Sequence, residues 1–216
     1  MKFTKLAAAI ALASSAIAAP AMAEVELSAT AGLVSDYVFR GVNLGDAAAY
    51  GSVDAGMGGF YAGVWTIDTN ETLEVDYYLG YGTEFDNGFG VDVSYTYYDY
   101  TTTSYNETEV ALGLSYAGFG FSYVDGEAED EGATEDYTVT SLSYGGEVFG
   151  ATYGRVDFDQ SDFQYDWAEV TASGEVAGLD AVLALGKATN TEEEGESLSG
   201  LNGGYITLDI SKSFDL

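Results

Sequence analysis

The amino-acid sequence predicts an all-β fold, an antiparallel transmembrane β-barrel of twelve strands. Through most of the chain apolar residues recur at every second position, which is the period of a β-strand. The connections between these segments alternate between tight and long, as they do in bacterial outer-membrane barrels. Beyond the N-terminal region, no apolar segment approaches the roughly 20 residues that a membrane helix needs, so only a barrel could cross a bilayer.

Residues 1–23 have the features of a secretory signal peptide. Two lysines precede an apolar run over 6–17, and an Ala-Met-Ala sequence suited to cleavage ends at residue 23. A membrane-anchoring helix is the alternative, but the apolar run is short for that role and Pro20 follows it. We therefore expect a signal peptide over 1–23 and a barrel domain over 24–216.

The clearest hairpin lies within residues 72–100. One apolar stripe occupies the odd positions of 73–81, and a second occupies the odd positions of 89–97. Between them stands Asn87-Gly88, and Asn-Gly between two alternating runs is the strongest short-range hairpin signal.

The same alternation gives twelve candidate strands along the chain. They are 25–37, 48–56, 60–68, 72–84, 89–100, 108–117, 119–125, 137–144, 148–158, 166–176, 179–187 and 205–216. Long connections are expected at 38–47, 101–107, 126–136, 159–165 and 188–204, with an exceptionally short one at 69–71.

Two of these strands carry the alternation poorly. The apolar positions change face between Val139 and Leu142, and again between Tyr153 and Val156. A β-bulge or an error in the strand boundaries would account for each change. A barrel of ten strands is the alternative count.

The last segment alternates through to the final residue of the sequence, Leu216. It resembles the C-terminal strand by which outer-membrane proteins are recognised for assembly. We therefore expect the cell outer membrane as the location, with its lipid, lipopolysaccharide and the barrel-assembly machinery as partners.

The composition excludes several classes of function. The 216 residues include 36 acids and 6 bases, but no histidine and no cysteine. Triads that rely on histidine or cysteine, thiol chemistry and the usual zinc sites are excluded. Catalysis by carboxylates alone stays open, but we expect neither an enzyme nor a cofactor. Cleavage after residue 23 would leave four bases against 36 acids, a formal charge of −32. Nucleic acid is an unfavourable partner for such a chain, because phosphate binding needs a basic surface.

The polar faces of the strands would line the interior of the barrel. The parity of each strand places these acids inward: Glu26, Asp54, Glu74, Asp76, Asp92, Glu109, Glu169, Glu175, Asp180 and Asp209. Candidate pore-lining residues are Asp76, Tyr78, Asp92, Tyr98, Arg155, Glu169 and Asp209. We expect Arg155 to be the only base among them, and one arginine cannot neutralise so many acids. Because an isolated buried charge is costly, this predicts an interior that holds water and mobile cations.

Two acidic runs fall in predicted loops. The first contains Glu127, Glu129, Asp130 and Glu131, and the second is Glu192-Glu193-Glu194. Binding of divalent cations or cationic solutes is one interpretation, because hard ions prefer clustered oxygen ligands. A solvated, mobile loop is the favoured one, and we assign no metal site.

Two further groups of residues have alternative interpretations. Arg40 is expected to pair locally with Asp36 or Asp46, and reaching into the pore is its alternative. The aromatic girdles at the membrane boundaries are expected to contain Trp65, Trp167, Tyr61, Tyr81, Tyr97, Tyr116, Tyr123 and Tyr144. Stacking on sugars is their alternative.

Two stretches, SDYVFRGVNLGD at 35–46 and GFYAGVWTIDT at 59–69, resemble the TorF family of proposed proteobacterial porins. They cover about the first quarter of the mature chain, and beyond them the resemblance is one of architecture. It implies an outer-membrane barrel with channel activity, and it supplies no substrate or catalytic residue.

Two functions follow as hypotheses. The first is a channel for passive diffusion of small solutes, with a preference for cations because a negative interior concentrates them. The second is a closed structural or surface-binding barrel whose acidic loops bind divalent cations or a partner. A secreted soluble β-protein remains if the membrane prediction fails.

Overall fold

Twelve strands close into an antiparallel barrel in a computed structural model that describes residues 25–69, 72–160, 163–190 and 203–216. Each barrel strand pairs with its neighbour in the chain, and β1 closes the barrel against β14. The described strands are β1 Glu26–Val34, β2 Tyr37–Phe39, β3 Val42–Gly45, β4 Ala48–Met57, β5 Phe60–Asp68, β6 Leu73–Glu84, β7 Phe89–Tyr100, β8 Asn106–Tyr116, β9 Phe119–Asp130, β10 Ala133–Gly145, β11 Phe149–Phe158, β12 Gln164–Val176, β13 Leu179–Asn190 and β14 Gly204–Asp215.

The predicted fold class and strand count are confirmed, and the count of ten is wrong. Strands β2 and β3 pair only with each other and form a hairpin in the connection between β1 and β4. The predicted signal peptide, 1–23, lies outside the described residues. Within the described ranges, no helix is long and apolar enough to cross a membrane.

The two ends of the barrel differ in their connections. At one end, which we call the turn end, tight turns such as Ala117-Gly118 and Ala177-Gly178 have positive φ at both residues. This is the geometry of turns that match the twist of paired strands. The opposite end, the loop end, carries the β2–β3 hairpin and the other connections. One of these, Glu131-Gly132, is as tight as the turns of the turn end, so the predicted alternation of tight and long connections holds only in part.

Residues 126–136, which we expected to form a mobile loop, are strand. Strands β9 and β10 stay paired up to Asp130 and Ala133, and only Glu131-Gly132 turns between them. The prediction was wrong because it took acidic composition as a sign of a loop, although small residues still alternate with the acids over 126–129.

For the change of face in 137–144 and 148–158, the β-bulge is the wrong one of the two explanations offered. Strands β10 and β11 pair without a shift from Tyr137↔Phe158 to Gly145↔Gly150. The apolar residues change face because Val139 and Val156 point into the loop end of the barrel, where they are buried. The strand is regular, and the interior at this depth is apolar.

A belt of exposed apolar side chains covers the outside of the barrel. It includes Leu33, Val53, Leu79, Val93, Val110, Leu142, Val170, Leu185, Ile206 and Leu208. Soluble proteins rarely expose a continuous apolar surface of more than a few hundred Å². A closed barrel of this kind is the membrane-spanning barrel of bacterial outer membranes.

The aromatic residues divide between the two faces. Tyr81 and Tyr144 are exposed near the turn end, where they pack on Phe60 and Phe119 with ring centroids 4.7 and 5.0 Å apart. Tyr61 and the two tryptophans differ from the prediction. Tyr61 faces inward and its hydroxyl donates to Asp92. Trp65 packs on two inward tyrosines, and Trp167 is buried in an interior cluster, because the space inside the loop end has to be filled.

Glycines on the inner wall lie beneath aromatic rings of the next strand. The cross-strand pairs are Gly32 with Tyr50, Gly63 with Tyr78, Gly80 with Tyr61, Gly126 with Tyr137, Gly154 with Trp167 and Gly186 with Tyr205. At each of these glycines an added Cβ would collide with the partner ring. The rings therefore lie along the wall instead of projecting across the lumen.

Replacing one of these glycines should destabilise the barrel. We expect Gly154→Ala to lower the free energy of unfolding by about 1–3 kcal/mol, because the new methyl group forces Trp167 out of its packed position. The measurement is urea unfolding of protein refolded in lipid vesicles, followed by circular dichroism. The matched control is Gly174→Ala, where a Cβ meets nothing within 4 Å; equal losses in both variants would contradict this packing.

Candidate functional site

The β2–β3 hairpin lies inside the loop end of the barrel. Val38 is only 1% exposed, and Val42 belongs to a buried cluster with residues that face inward from β9 to β13. At the hairpin tip, a Cβ on Gly41 would stand 2.7 Å from the Trp167 Cβ and 2.9 Å from the Ala188 Cβ. The tip therefore contacts the inner wall that is formed by β12 and β13.

The local sequence explains why this segment forms a hairpin with an apolar surface. Arg40 and Gly41 have φ values of 47° and 82°, as in a two-residue turn between paired strands. The strands on either side of the turn carry Tyr37, Val38 and Val42, which are buried. A surface loop would leave these residues in water, whereas the lumen supplies apolar partners for them.

Arg40 joins the hairpin tip to the barrel wall. Its Nη1 donates to Glu109 Oε1 at 2.6 Å and its Nη2 donates to Oε2 at 2.9 Å. The two side chains are 14% and 1% exposed, and the guanidinium also lies 4.5 Å from the centroid of the Phe39 ring. Burial by itself would lower the pKa of Arg40, but the Glu109 carboxylate raises it well above its ordinary value, so the arginine stays charged.

Both carboxylate oxygens of Glu109 accept hydrogen bonds. Besides the two guanidinium nitrogens, it accepts hydrogen bonds from the hydroxyls of Tyr98 and Tyr137, each at 2.9 Å. A buried ion pair is stable only when its remaining hydrogen-bonding capacity is satisfied. Here the surrounding tyrosines meet that condition.

The expectation that Arg155 points into the lumen is wrong. Its side chain lies on the outer face of β11, 47% exposed, and its Nε donates to Asp166 Oδ1 at 2.7 Å. The inward positions beside it belong to Val156 and Gly154, which are buried. Of the four bases in the described ranges, only Arg40 enters the barrel, which was the less favoured of its two interpretations.

Most of the inward carboxylates accept hydrogen bonds from tyrosines. The bonds run from Tyr37 to Glu74 at 3.0 Å, Tyr50 to Asp209 at 3.0 Å, Tyr61 to Asp92 at 3.0 Å, Tyr205 to Glu169 at 2.8 Å, and from Tyr78 to Asp54. Burial and the nearby Glu74 raise the pKa of Tyr37 well above its ordinary value, so it remains a neutral donor. A neutral donor holds a carboxylate in place without cancelling its charge.

The parity of the other candidate pore-lining residues agrees with the structure. Asp76, Asp92, Asp209 and Tyr98 face inward and are buried, and Tyr78 and Glu169 face inward and are half-buried. That they line a conducting pore stays a prediction.

Sequence reasoning missed Glu107, which also faces inward. It accepts a hydrogen bond from Tyr137 at 2.8 Å and another from Tyr105. Glu107 shares the parity of Glu109, so a start of β8 two residues earlier than predicted would have placed it correctly.

The first acidic run does not gather its carboxylates at one place. Glu127 and Glu129 are exposed on the outer face of β9, and Asp130 and Glu131 are exposed at its end. Within the described part of the chain, no three acids come together in a metal-binding arrangement. Glu192, Glu193 and Glu194 lie outside the described residues.

The interior has two different halves. Toward the turn end, the inward positions carry small polar residues that are partly or fully exposed, among them Ser28, Thr30, Ser52, Ser115, Ser143, Thr152, Ser173 and Ser213. Toward the loop end, the hairpin and its apolar cluster fill the space. The interior is therefore polar toward the turn end and packed with apolar side chains toward the loop end.

Comparisons with known proteins give a family and several distant structures. The model of a family described as a bacterial protein of unknown function (Gcw_chp) matches residues 18–188. No curated protein matches the chain.

Three solved structures represent the structural matches. OccAB3 of Acinetobacter baumannii has a TM-score of 0.43 at 10% identity, over 89% of this chain and 65% of that one. OccD3 (OpdP) of Pseudomonas aeruginosa has a TM-score of 0.45 at 10% identity, again over 89% and 65%. An anion-selective porin from Comamonas acidovorans has a TM-score of 0.34 at 11% identity, over 90% and 100%. The chain thus spans about two thirds of the first two structures.

Breaking the Arg40–Glu109 pair should loosen the hairpin and leave the barrel in place. We expect Arg40→Ala to speed hydrogen exchange in peptides from 36–45, because removing one partner of a buried pair costs about 3–5 kcal/mol. The measurement is hydrogen–deuterium exchange with mass spectrometry. The control is Arg155→Ala, which breaks an equally bidentate pair on the outer face and should leave the hairpin protected. Unchanged protection in Arg40→Ala would show that the pair does not hold the hairpin.

Proposed function

The chain belongs to the Gcw_chp family of bacterial proteins of unknown function, and we propose that it is a porin-like channel for small solutes in the cell outer membrane. One observation carries this proposal. The inner wall holds a surplus of carboxylates, and Arg40 is the one inward base among the described residues. The resemblance of 35–46 and 59–69 to the TorF family of proposed porins supports the same function.

The charge of the inner wall favours the passage of cations. Because neutral tyrosines hold Asp54, Asp92, Glu169 and Asp209, their hydrogen bonds leave the negative charges uncompensated. A passage lined by one sign of charge concentrates ions of the opposite sign and repels those of the same sign. The hairpin narrows the loop end, which limits passage to small solutes.

The other parts of the chain fit this assignment. We expect removal of 1–23 on export, recognition of β14 by the barrel-assembly machinery, and contact of the belt with lipid and lipopolysaccharide. The turn end would face the periplasm, as short turns do in barrels of this class. No catalytic residue is needed for passive diffusion.

The closed structural or surface-binding barrel is the second candidate. The hairpin inside the loop end favours it, because a plug that never moves would block diffusion. In that case the acidic residues of the loop end would bind divalent cations or a partner.

Channel activity should appear as cation-selective conductance across a planar bilayer. We expect a reversal potential that favours K⁺ over Cl⁻. The selectivity should be weaker at 1 M salt than at 0.1 M, because the screening length falls from about 10 Å at 0.1 M to about 3 Å at 1 M. Combining Asp92→Asn, Glu169→Gln and Asp209→Asn should lower the permeability ratio roughly threefold or more. The control combines Asp125→Asn, Glu127→Gln and Glu129→Gln on the outer face of β9. Equal effects of the two sets would reject the inner wall as the source of selectivity.

The hairpin should set the size of the current. Arg40→Ala should raise the single-channel conductance at least roughly twofold, because a loosened hairpin widens the constriction. Arg155→Ala should leave the conductance unchanged. If neither the parent protein nor Arg40→Ala conducts when correctly folded, the channel is rejected in favour of the closed barrel.

A further inference from the structure

Asp76 differs from the other buried carboxylates of the lumen. Glu74, Asp92, Glu109 and Asp209 each accept a hydrogen bond from a tyrosine or from Arg40. Asp76 is 8% exposed, and its Oδ1 is fully buried without a hydrogen-bond partner among the described residues. The Asp76 side chain points inward from β6, and its Oδ1 is a hydrogen-bond acceptor that no described residue uses.

Aromatic residues flank Asp76 on both neighbouring strands. Trp65 on β5 and Tyr98 on β7 are its direct cross-strand partners, and such pairs have Cβ atoms about 4.5–5.5 Å apart. Trp65 is held between Tyr37 and Tyr50, with ring centroids 6.0 and 5.9 Å away. The acid therefore stands between two aromatic side chains on a rigid wall.

A second unused acceptor lies on the same face of β6. Glu74 is two residues from Asp76, so both side chains point into the lumen. Its Oε1 accepts from Tyr37, whereas its Oε2 is buried and has no hydrogen-bond partner among the described residues. The two free oxygens offer acceptors to a ligand that carries several N–H donors.

The nearby arginine does not neutralise these acids. Both terminal nitrogens of Arg40 bind Glu109, so this arginine does not pair with Glu74 or Asp76. An unpaired buried carboxylate is costly, and a bound cation would relieve that cost. Aromatic faces attract cations as well. Ca²⁺ takes six to eight oxygen ligands, and no three acids in the described ranges are arranged to hold a metal ion.

We propose that Asp76 and Glu74, with Trp65 and Tyr98 on either side, bind the ammonium group of a cationic amine. The ammonium group donates hydrogen bonds to Asp76 Oδ1 and Glu74 Oε2 and lies against the aromatic rings. As a step in the passage of amines the inference rests on the proposed channel function, whereas binding itself can be tested without conductance.

The test is calorimetric titration of refolded protein in detergent with ethylammonium chloride. We expect saturable binding to the parent protein, at least tenfold weaker binding to Asp76→Asn, and a smaller loss in Trp65→Leu. The control is Asp125→Asn, which removes an exposed acid from the outer face of β9 and should bind like the parent. Circular dichroism and heat-dependent gel mobility establish that each variant is folded.

Three results would overturn the site: no binding to the parent at both pH 6 and pH 8, parent-like binding to folded Asp76→Asn, or equal competition by sodium chloride. The same titrations separate the site from the channel. Binding that depends on Asp76 without any conductance supports the site and rejects the channel. Cation-selective conductance without ethylammonium binding leaves the channel intact and rejects the site.

Discussion

One buried ion pair, between Arg40 and Glu109, fixes how the interior of this barrel is used. It brings the one inward base among the described residues to the wall at the loop end, and the hairpin that carries this base comes with it. The hairpin's apolar side chains then need apolar partners, which β9 to β13 supply from their inner faces. The loop end is therefore a packed constriction, while the turn end remains polar.

A second constraint comes from the tyrosines that lie over glycines of the next strand. Because each ring lies along the wall, its hydroxyl reaches a carboxylate on the same wall. A tyrosine donates a hydrogen bond to these acids without bringing a positive charge. The same arrangement thus stabilises the inner wall and adds no base to it, which is the physical basis of the proposed cation preference.

The strands and their inward residues could be predicted from the sequence wherever apolar and polar residues alternate. The prediction of which side chains face inward failed where both faces of a strand carry apolar residues. Twelve strands and the inward acids follow from the alternation, because lipid outside and polar residues inside give the two faces opposite character. At the loop end Val139 and Val156 face an apolar hairpin, so the alternation no longer tells inside from outside, and Arg155 was misplaced. The hairpin itself was hidden in a predicted loop, since a partner distant in the chain, Glu109, holds it in place.

Cysteine accessibility in lipid vesicles tests most directly which surfaces of this molecule meet water, because the chain has no cysteine of its own. Single substitutions would be Ser173→Cys on the inner wall, Leu185→Cys on the outer belt and Val42→Cys in the hairpin. With a water-soluble maleimide on both sides of the membrane, position 173 should react and position 185 should not. Position 42 should react only when Arg40 is also replaced by alanine. Reaction at position 185 as fast as at position 173 would contradict the account, because the belt would then face water.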